Sequence, residues 1–278
     1  MTEREIDVVD YVSKSRLSDY VINPYVGCPH ACRYCYASYM RRFTSREDLW
    51  GNFLDVKRCS KPLGANRLTG KSVFMSSTTD CYNPAEARYR VTRRILEELA
   101  PIECELSITT KSRLILRDLD LLVPRTRMFQ RNALLWRDEP RYGARVLFSI
   151  NTLDEDFRSD MDRASTIAER LDALQQCREA GIPTGLFMSP IFPYITDFRA
   201  IVDRASSFVD FFLFENLKLR AGYKEDVLAY IRARYPEYYK GYAKIYREGS
   251  SAYWDALREE IVDYCERKGV SYQMCFHS

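Results

Sequence analysis

Six short apolar and β-branched runs, separated by amphipathic stretches, constrain this chain most. They lie at residues 20–26, 72–77, 103–109, 145–150, 183–189 and 208–214. Runs of this kind read as strands, and alternation with helices is the pattern of repeated βα units around a parallel sheet. Helices are expected at 36–46, from about Pro84 to 99, across Leu114, Leu119 and Leu122, and at 164–180, where Gly181 suits a helix end. Residues 124–143 break the rhythm with charged and turn-forming residues and read as a loop or insertion. The fold class expected is α/β, a partial (β/α)6 TIM-like barrel with a helical C-terminal extension. Its divisions are an N-terminal extension at 1–19, the barrel at 20–222 and a tyrosine-rich helical elaboration at 223–278, packed on the barrel. A terminal helix is expected near 252–268, followed by a last strand at VSYQMC.

Directly after the first strand, Cys28, Cys32 and Cys35 stand in GCPHACRYCYA. The spacing is C-x3-C-x2-C, with no fourth cysteine nearby. A tight loop of this kind aims three thiolates at three irons of a 4Fe–4S cubane and leaves one iron without a protein ligand. The same logic separates catalytic from structural zinc. Two other readings stay open. A zinc site would borrow His30, Cys59 or Cys81 as fourth ligand, and three buried thiols would simply pack as small hydrophobes.

Composition narrows the setting. Hydrophobic residues are 46% and charged residues 29% of the 278, and the formal net charge is +3. That charge neither demands nor excludes a nucleic-acid partner. No run of about eighteen apolar residues is present, so no membrane span is expected. The N-terminus MTEREIDVVDYVSKSR carries charges where a signal peptide has its apolar core. A cytoplasmic protein is expected, in which nine cysteines argue for metal or redox chemistry over a disulfide framework.

The cysteine loop, with Tyr34 before its last cysteine, resembles the signature of the radical S-adenosylmethionine (SAM) superfamily. The strings YVINPYVGCPHACRYCYA, MSSTTDCYNP, SITTKS and FSINTLDED are similar, in the same order, to the spore photoproduct lyase-like branch. The resemblance covers roughly residues 20–215. It implies a 4Fe–4S cluster on Cys28, Cys32 and Cys35, with SAM on the open iron. Reductive cleavage of SAM to a 5′-deoxyadenosyl radical would then abstract hydrogen from an unidentified substrate. A nucleic-acid lesion, as in the lyase, and a small molecule or peptide are the two substrate readings. An external electron donor such as flavodoxin or ferredoxin is implied as partner. A zinc-stabilised nucleic-acid-binding module and an iron–sulfur electron carrier are the non-catalytic readings.

Every one of these strings falls at the C-terminal end of an expected strand, where barrel active sites assemble. Asp80 and the hydroxyls of Ser76, Ser77, Thr78 and Thr79 suit the SAM ammonium, and Lys111 its carboxylate. Ser149 and Asn151 suit ribose, and Tyr34 the adenine. The plainer alternatives are a helix cap for Asp80 and Asn83, a solvated lysine for Lys111, and turn formation for Ser149 and Asn151. The lyase's hydrogen-donating cysteine falls at Ser77 here, which puts the same repair reaction in doubt. Cys81 and Tyr82, beside Asp80, are the candidate hydrogen relay, with a packed thiol as the alternative for Cys81. Cys104 and Cys177 are expected in the core. The tail with Cys275 and His277 offers too few ligands for an auxiliary cluster.

Overall fold

The computed structural model describes residues 1–133, 143–220 and 222–277, the side chains of 128–133 excepted. Its strands are β1 (Thr2–Asp7), β2 (Val12–Lys14), β3 (Tyr20–Ile22), β4 (Tyr25–Val26), β5 (Phe53–Arg58), β6 (Ser72–Met75), β7 (Glu105–Thr110), β8 (Ala144–Ser149), β9 (Thr184–Ile191), β10 (Phe211–Asn216) and β11 (Tyr272–Met274). The main sheet has the order β11-β10-β9-β8-β7-β6-β3-β2. From β3 to β10 each neighbour is the next strand of this sheet in sequence and runs parallel, β4 and β5 lying in the second sheet. These are the six expected βα units, a partial barrel. β11 adds a parallel strand at one edge and β2 an antiparallel one at the other.

Side chains from alternate strand positions fill the core, among them Val73, Met75, Leu106, Ile108, Val146, Phe148, Leu186 and Met188. Period-two alternation along each strand sends these residues to one face. Gly185 is required on β9, because an added Cβ would lie 2.6 Å from the Phe211 ring.

The first expected strand is divided. β3 ends at Ile22, and Pro24, which lacks an amide donor, cannot continue the ladder. β4 instead pairs antiparallel with β5, which pairs parallel with β1. The N-terminal extension therefore contributes strands to both sheets. Residues Tyr36–Phe43 form a 3-10 helix. The helix expected from Pro84 is broken at Arg90, whose φ is +54°, into Glu86–Tyr89 and Val91–Leu99.

Part of the expected 124–143 loop is helical, since Leu119–Ala133 runs on through Pro124. Its charge signal was misleading for a physical reason. Arg125 is buried and donates to the carbonyls of Gly143 (2.8 Å), Leu99 (2.7 Å) and Ile102 (3.1 Å). Residues 134–142 of that expected loop lie outside the described residues. In the C-terminal third, helices Lys224–Arg234, Pro236–Tyr246 and Ala252–Lys268 precede β11. Leu257, Ile261 and Cys265 of the last helix join the main core. Tyr223, Tyr230 and Tyr242 build a second apolar cluster with Tyr34, Phe157 and Phe192.

Candidate cofactor-binding site

The cysteine loop leaves β4 through Gly27, at φ +86°, where a Cβ would sit 2.4 Å from the Phe53 carbonyl oxygen. Only glycine permits both the conformation and the approach. Two tight turns follow, closed by the amide of Ala31 on the Cys28 carbonyl and that of Cys35 on the Cys32 carbonyl, each 3.1 Å. The segment after β8 clamps the loop. Arg33 N–H donates to Met161 O (3.0 Å) and Arg163 N–H to His30 O (2.7 Å).

The three thiols are brought close enough to act on one another electrostatically. Cys28 is buried, and Cys32 and Cys35 are half-buried. Burial pushes the Cys28 thiol up to about 12, with Asp80 and Cys35 adding to the rise. Burial likewise raises Cys32 and Cys35. Such a pocket disfavours free thiolates and accepts them once a metal supplies the compensating charge. Among the described residues no three His, Cys, Asp or Glu side chains converge as a single ion requires. Neither proposed extra zinc ligand among the cysteines joins the loop. Cys81 is fully buried in the main core, and the Cys59 thiol donates to the Lys61 carbonyl.

The turn after β6 is tied into this loop. Thr79 Oγ1 donates to Gly27 O (2.7 Å), and the amides of Ser77 and Thr78 donate to Asn23 Oδ1 at 2.9 and 3.1 Å. Ser76 donates to the Thr79 carbonyl, and the Tyr36 hydroxyl to the Ser77 carbonyl. Asp80 is the hub. Its carboxylate accepts from Thr110 Oγ1 (2.8 Å), Lys111 N–H (2.8 Å) and Tyr82 N–H (2.9 Å), and faces His30 Nδ1 at 3.3 Å. Burial alone would raise its pKa; the His30 imidazole and the two amides outweigh this and hold it at about 2. The carboxylate thus ties the cysteine loop to the ends of β6 and β7.

Lys111 carries its ammonium 5.6 Å from the Tyr34 ring centroid. It makes no ion pair with any described residue. Burial alone would lower its pKa, but Cys32, Asp162 and Asp80 outweigh that and hold the charge. Ser149 donates to Ser189 O (3.1 Å). Asn151 is buried beside the Tyr34 hydroxyl, and its Nδ2 has no protein acceptor in hydrogen-bond geometry. Tyr34 is buried edge-on against Phe192 at 5.3 Å. Lys111, Tyr34 and Asn151 thus meet above the thiols. Cys81 and Tyr82, the expected hydrogen relay, lie apart from them. Both are 0% exposed in the main core, because the turn that aims Asp80 at the loop directs the next two side chains inward.

Three features escaped the sequence reading: the Arg170–Asp162 pair, the place of His30 against Asp80, and Trp50. Arg170 and Asp162 form a buried pair behind Tyr34, with the Tyr34 hydroxyl 3.4 Å from Asp162 Oδ2. A signal existed, since Arg170 falls on the apolar face of helix Ile167–Glu179 with Ile167, Leu171 and Leu174. His30 was weighed only as a zinc ligand. Near the ends of β9 and β10, Ser189 donates to Glu215, whose Oε1 is 3.0 Å from His277 Nε2. Asn216 fixes the His277 backbone through both its N–H (2.8 Å) and its carbonyl (3.0 Å). Trp50 lies beside Cys35.

The residues present fit a 4Fe–4S cluster with one open iron and an amino-acid-bearing nucleoside on it. The thiols could supply three ligands, and the Lys111 ammonium, which has no ion pair among the described residues, and the Asn151 amide could offer polar contacts. The radical SAM superfamily model matches residues 22–205. An uncharacterised protein of Methanocaldococcus jannaschii is 32% identical over 93% of this chain and 90% of its own length. One from Mycobacterium tuberculosis is 26% identical over 87% of this chain and 72% of its own. A spore photoproduct lyase mutant with bound SAM and dinucleoside spore photoproduct superposes with TM-score 0.54 at 16% identity, over 84% of this chain and 66% of that one. SuiB of Streptococcus suis, bound to SAM, gives 0.53 at 16% identity, over 93% of this chain and 50% of its own. This chain thus spans one half to two thirds of those two structures, and at such identity they bear on the fold. The family match, the full-length relative and the three-thiol loop converge: the chain belongs to the radical SAM superfamily and is an enzyme whose cofactors are a 4Fe–4S cluster and SAM.

Proposed function

We propose that Cys28, Cys32 and Cys35 hold the cluster, and that Lys111, Tyr34 and Asn151 hold SAM for hydrogen abstraction from a substrate admitted at the barrel mouth. One observation carries the reading: three thiols at the head of the parallel sheet lie beside an ammonium that has no ion pair among the described residues, with a buried amide nearby. When bound, the cluster and SAM supply an electron and a 5′-deoxyadenosyl group able to take a hydrogen atom.

The chain's own residues bind and orient. Lys111 offers a point charge to a carboxylate. Asn151 Nδ2 offers a donor to a ribose oxygen or to the adenine, and Tyr34 closes the apolar wall with Phe192 and Phe157. Asp80 acts by positioning. With its acceptor sites occupied by Thr110, Lys111 and Tyr82, it holds the cysteine loop and does not serve as the ammonium partner. Phe157, Phe192 and Leu217 exclude water from this side.

A nucleic-acid lesion remains the first substrate class to try, on the likeness to the lyase. Two residues weigh against the identical reaction: Ser77 stands where a thiol would be needed, and the nearby Cys81 is sealed in the core. Anaerobic reconstitution with iron and sulfide, then dithionite and SAM, should yield 5′-deoxyadenosine, while dinucleoside spore photoproduct added as probe should remain unrepaired. A fully loaded cluster that yields no 5′-deoxyadenosine refutes the enzyme reading. Repair of the probe would refute the substrate argument alone.

A further inference from the structure

We propose that the indole N–H of Trp50 donates a hydrogen bond to Cys35 Sγ when that sulfur ligates iron, and thereby raises the cluster's reduction potential. The inference rests on the cluster assignment above and concerns how readily that cluster takes its electron.

The turn at 50–51 lies directly on the cysteine loop. Gly51 has φ +96°, and a Cβ there would lie 2.6 Å from Ala31 Cβ, between the first and second ligands. Two residues on, the Phe53 carbonyl presses on Gly27, so the loop is bracketed from its start to its middle by one short segment. The Trp50 and Phe53 rings meet edge to face at 5.8 Å, which fixes the indole.

Trp50 Nε1 is shielded from solvent and has no protein hydrogen-bond partner of ordinary geometry. The group it faces is the Cys35 sulfur. A buried indole usually finds an acceptor, and leaving one without is costly. A neutral thiol accepts poorly, whereas a negatively charged ligand sulfur accepts well. The donor is therefore placed for the ligated state. Hydrogen bonds to cluster sulfurs are among the levers that set the potential, and a donor favours the reduced cluster, which carries more negative charge.

The test uses the full chain, anaerobically reconstituted, without substrate. Trp50→Phe keeps an aromatic ring and removes the donor. Redox titration followed by electron paramagnetic resonance should show its midpoint shifted negative, with iron and sulfide content unchanged. A shift of 59 mV corresponds to a tenfold change for one electron. Phe53→Leu loosens the indole's support while keeping the donor, and should stay near the wild-type midpoint. An unshifted Trp50→Phe cluster overturns the inference alone, as does an equal shift in both variants. If Trp50→Phe takes up no iron, hyperfine coupling from 15N-indole label in the reduced wild type decides: coupling supports the bond, its absence overturns it. A wild-type chain that takes up no cluster overturns the cluster assignment itself.

Discussion

Asp80 and Lys111 stand one strand apart and divide the labour of the site. Asp80 accepts from two backbone amides and a hydroxyl and faces an imidazole. Asp80→Ala should therefore leave several donors unmatched and destabilise the fold by roughly 2–4 kcal/mol. Thermal unfolding several degrees lower, with reduced iron loading, is the expected result. An unchanged melting temperature with weakened SAM binding would instead return Asp80 to the ammonium role. Lys111 is the converse case, because its ammonium has no fixed ion partner among the described residues. Lys111→Met should keep iron content intact and weaken SAM binding about tenfold, roughly 1.4 kcal/mol. Equilibrium binding to the oxidised, loaded protein measures this directly.

At the level of elements, the segment after β8 does more than connect. Asp162 is buried against Arg170, and the same turn clamps the cysteine loop. Arg170→Met strands a buried carboxylate, which typically costs 3–5 kcal/mol; denaturant midpoints should report it. The pair also carries a pH signature. Burial alone would raise the Asp162 pKa, but Arg170 and Lys111 outweigh it and lower it. A depressed folded value stabilises above the unfolded carboxylate range of about 4 and is lost as pH falls below it. Asp162→Asn should therefore lose less stability between pH 6 and pH 3 than the wild type. Identical acid slopes would remove Asp162 from the account.

The six parallel strands were legible because buried strands keep their β-branched, apolar character whatever surrounds them. Their C-terminal ends gathered the expected motifs for the same reason. Breaks set by single residues were not: Pro24 diverts a strand to a second sheet, and Arg90 turns a helix with a positive φ. Arg125 looked like loop charge because its carbonyl partners come from two stretches distant in sequence, Leu99 with Ile102 and Gly143. Asp80 could be placed at the mouth from its spacing. That its acceptor sites were taken, and that Cys81 and Tyr82 turned inward, depended on tertiary contacts with β7 and His30.

For the molecule as a whole, the main core includes none of the three candidate ligands. Among the described residues no helix is long and apolar enough to cross a membrane. Since the core is independent of the cysteine loop, removing iron by chelation should leave far-ultraviolet circular dichroism unchanged. Hydrogen exchange should quicken at residues 27–35 and little elsewhere. Global unfolding on chelation would contradict that separation and make the metal part of the folding nucleus.

The chain has two histidines, one in the cysteine loop and one in the tail. His30 is locked between the cysteine turn and Asp80, while His277 rests on Glu215, 57% exposed. Selective imidazole labelling with nitrogen-15 therefore yields a two-signal spectrum in which each resonance has one address. Paramagnetic broadening should take His30 first as iron is loaded, leaving His277 as a sentinel for whatever molecule enters from outside.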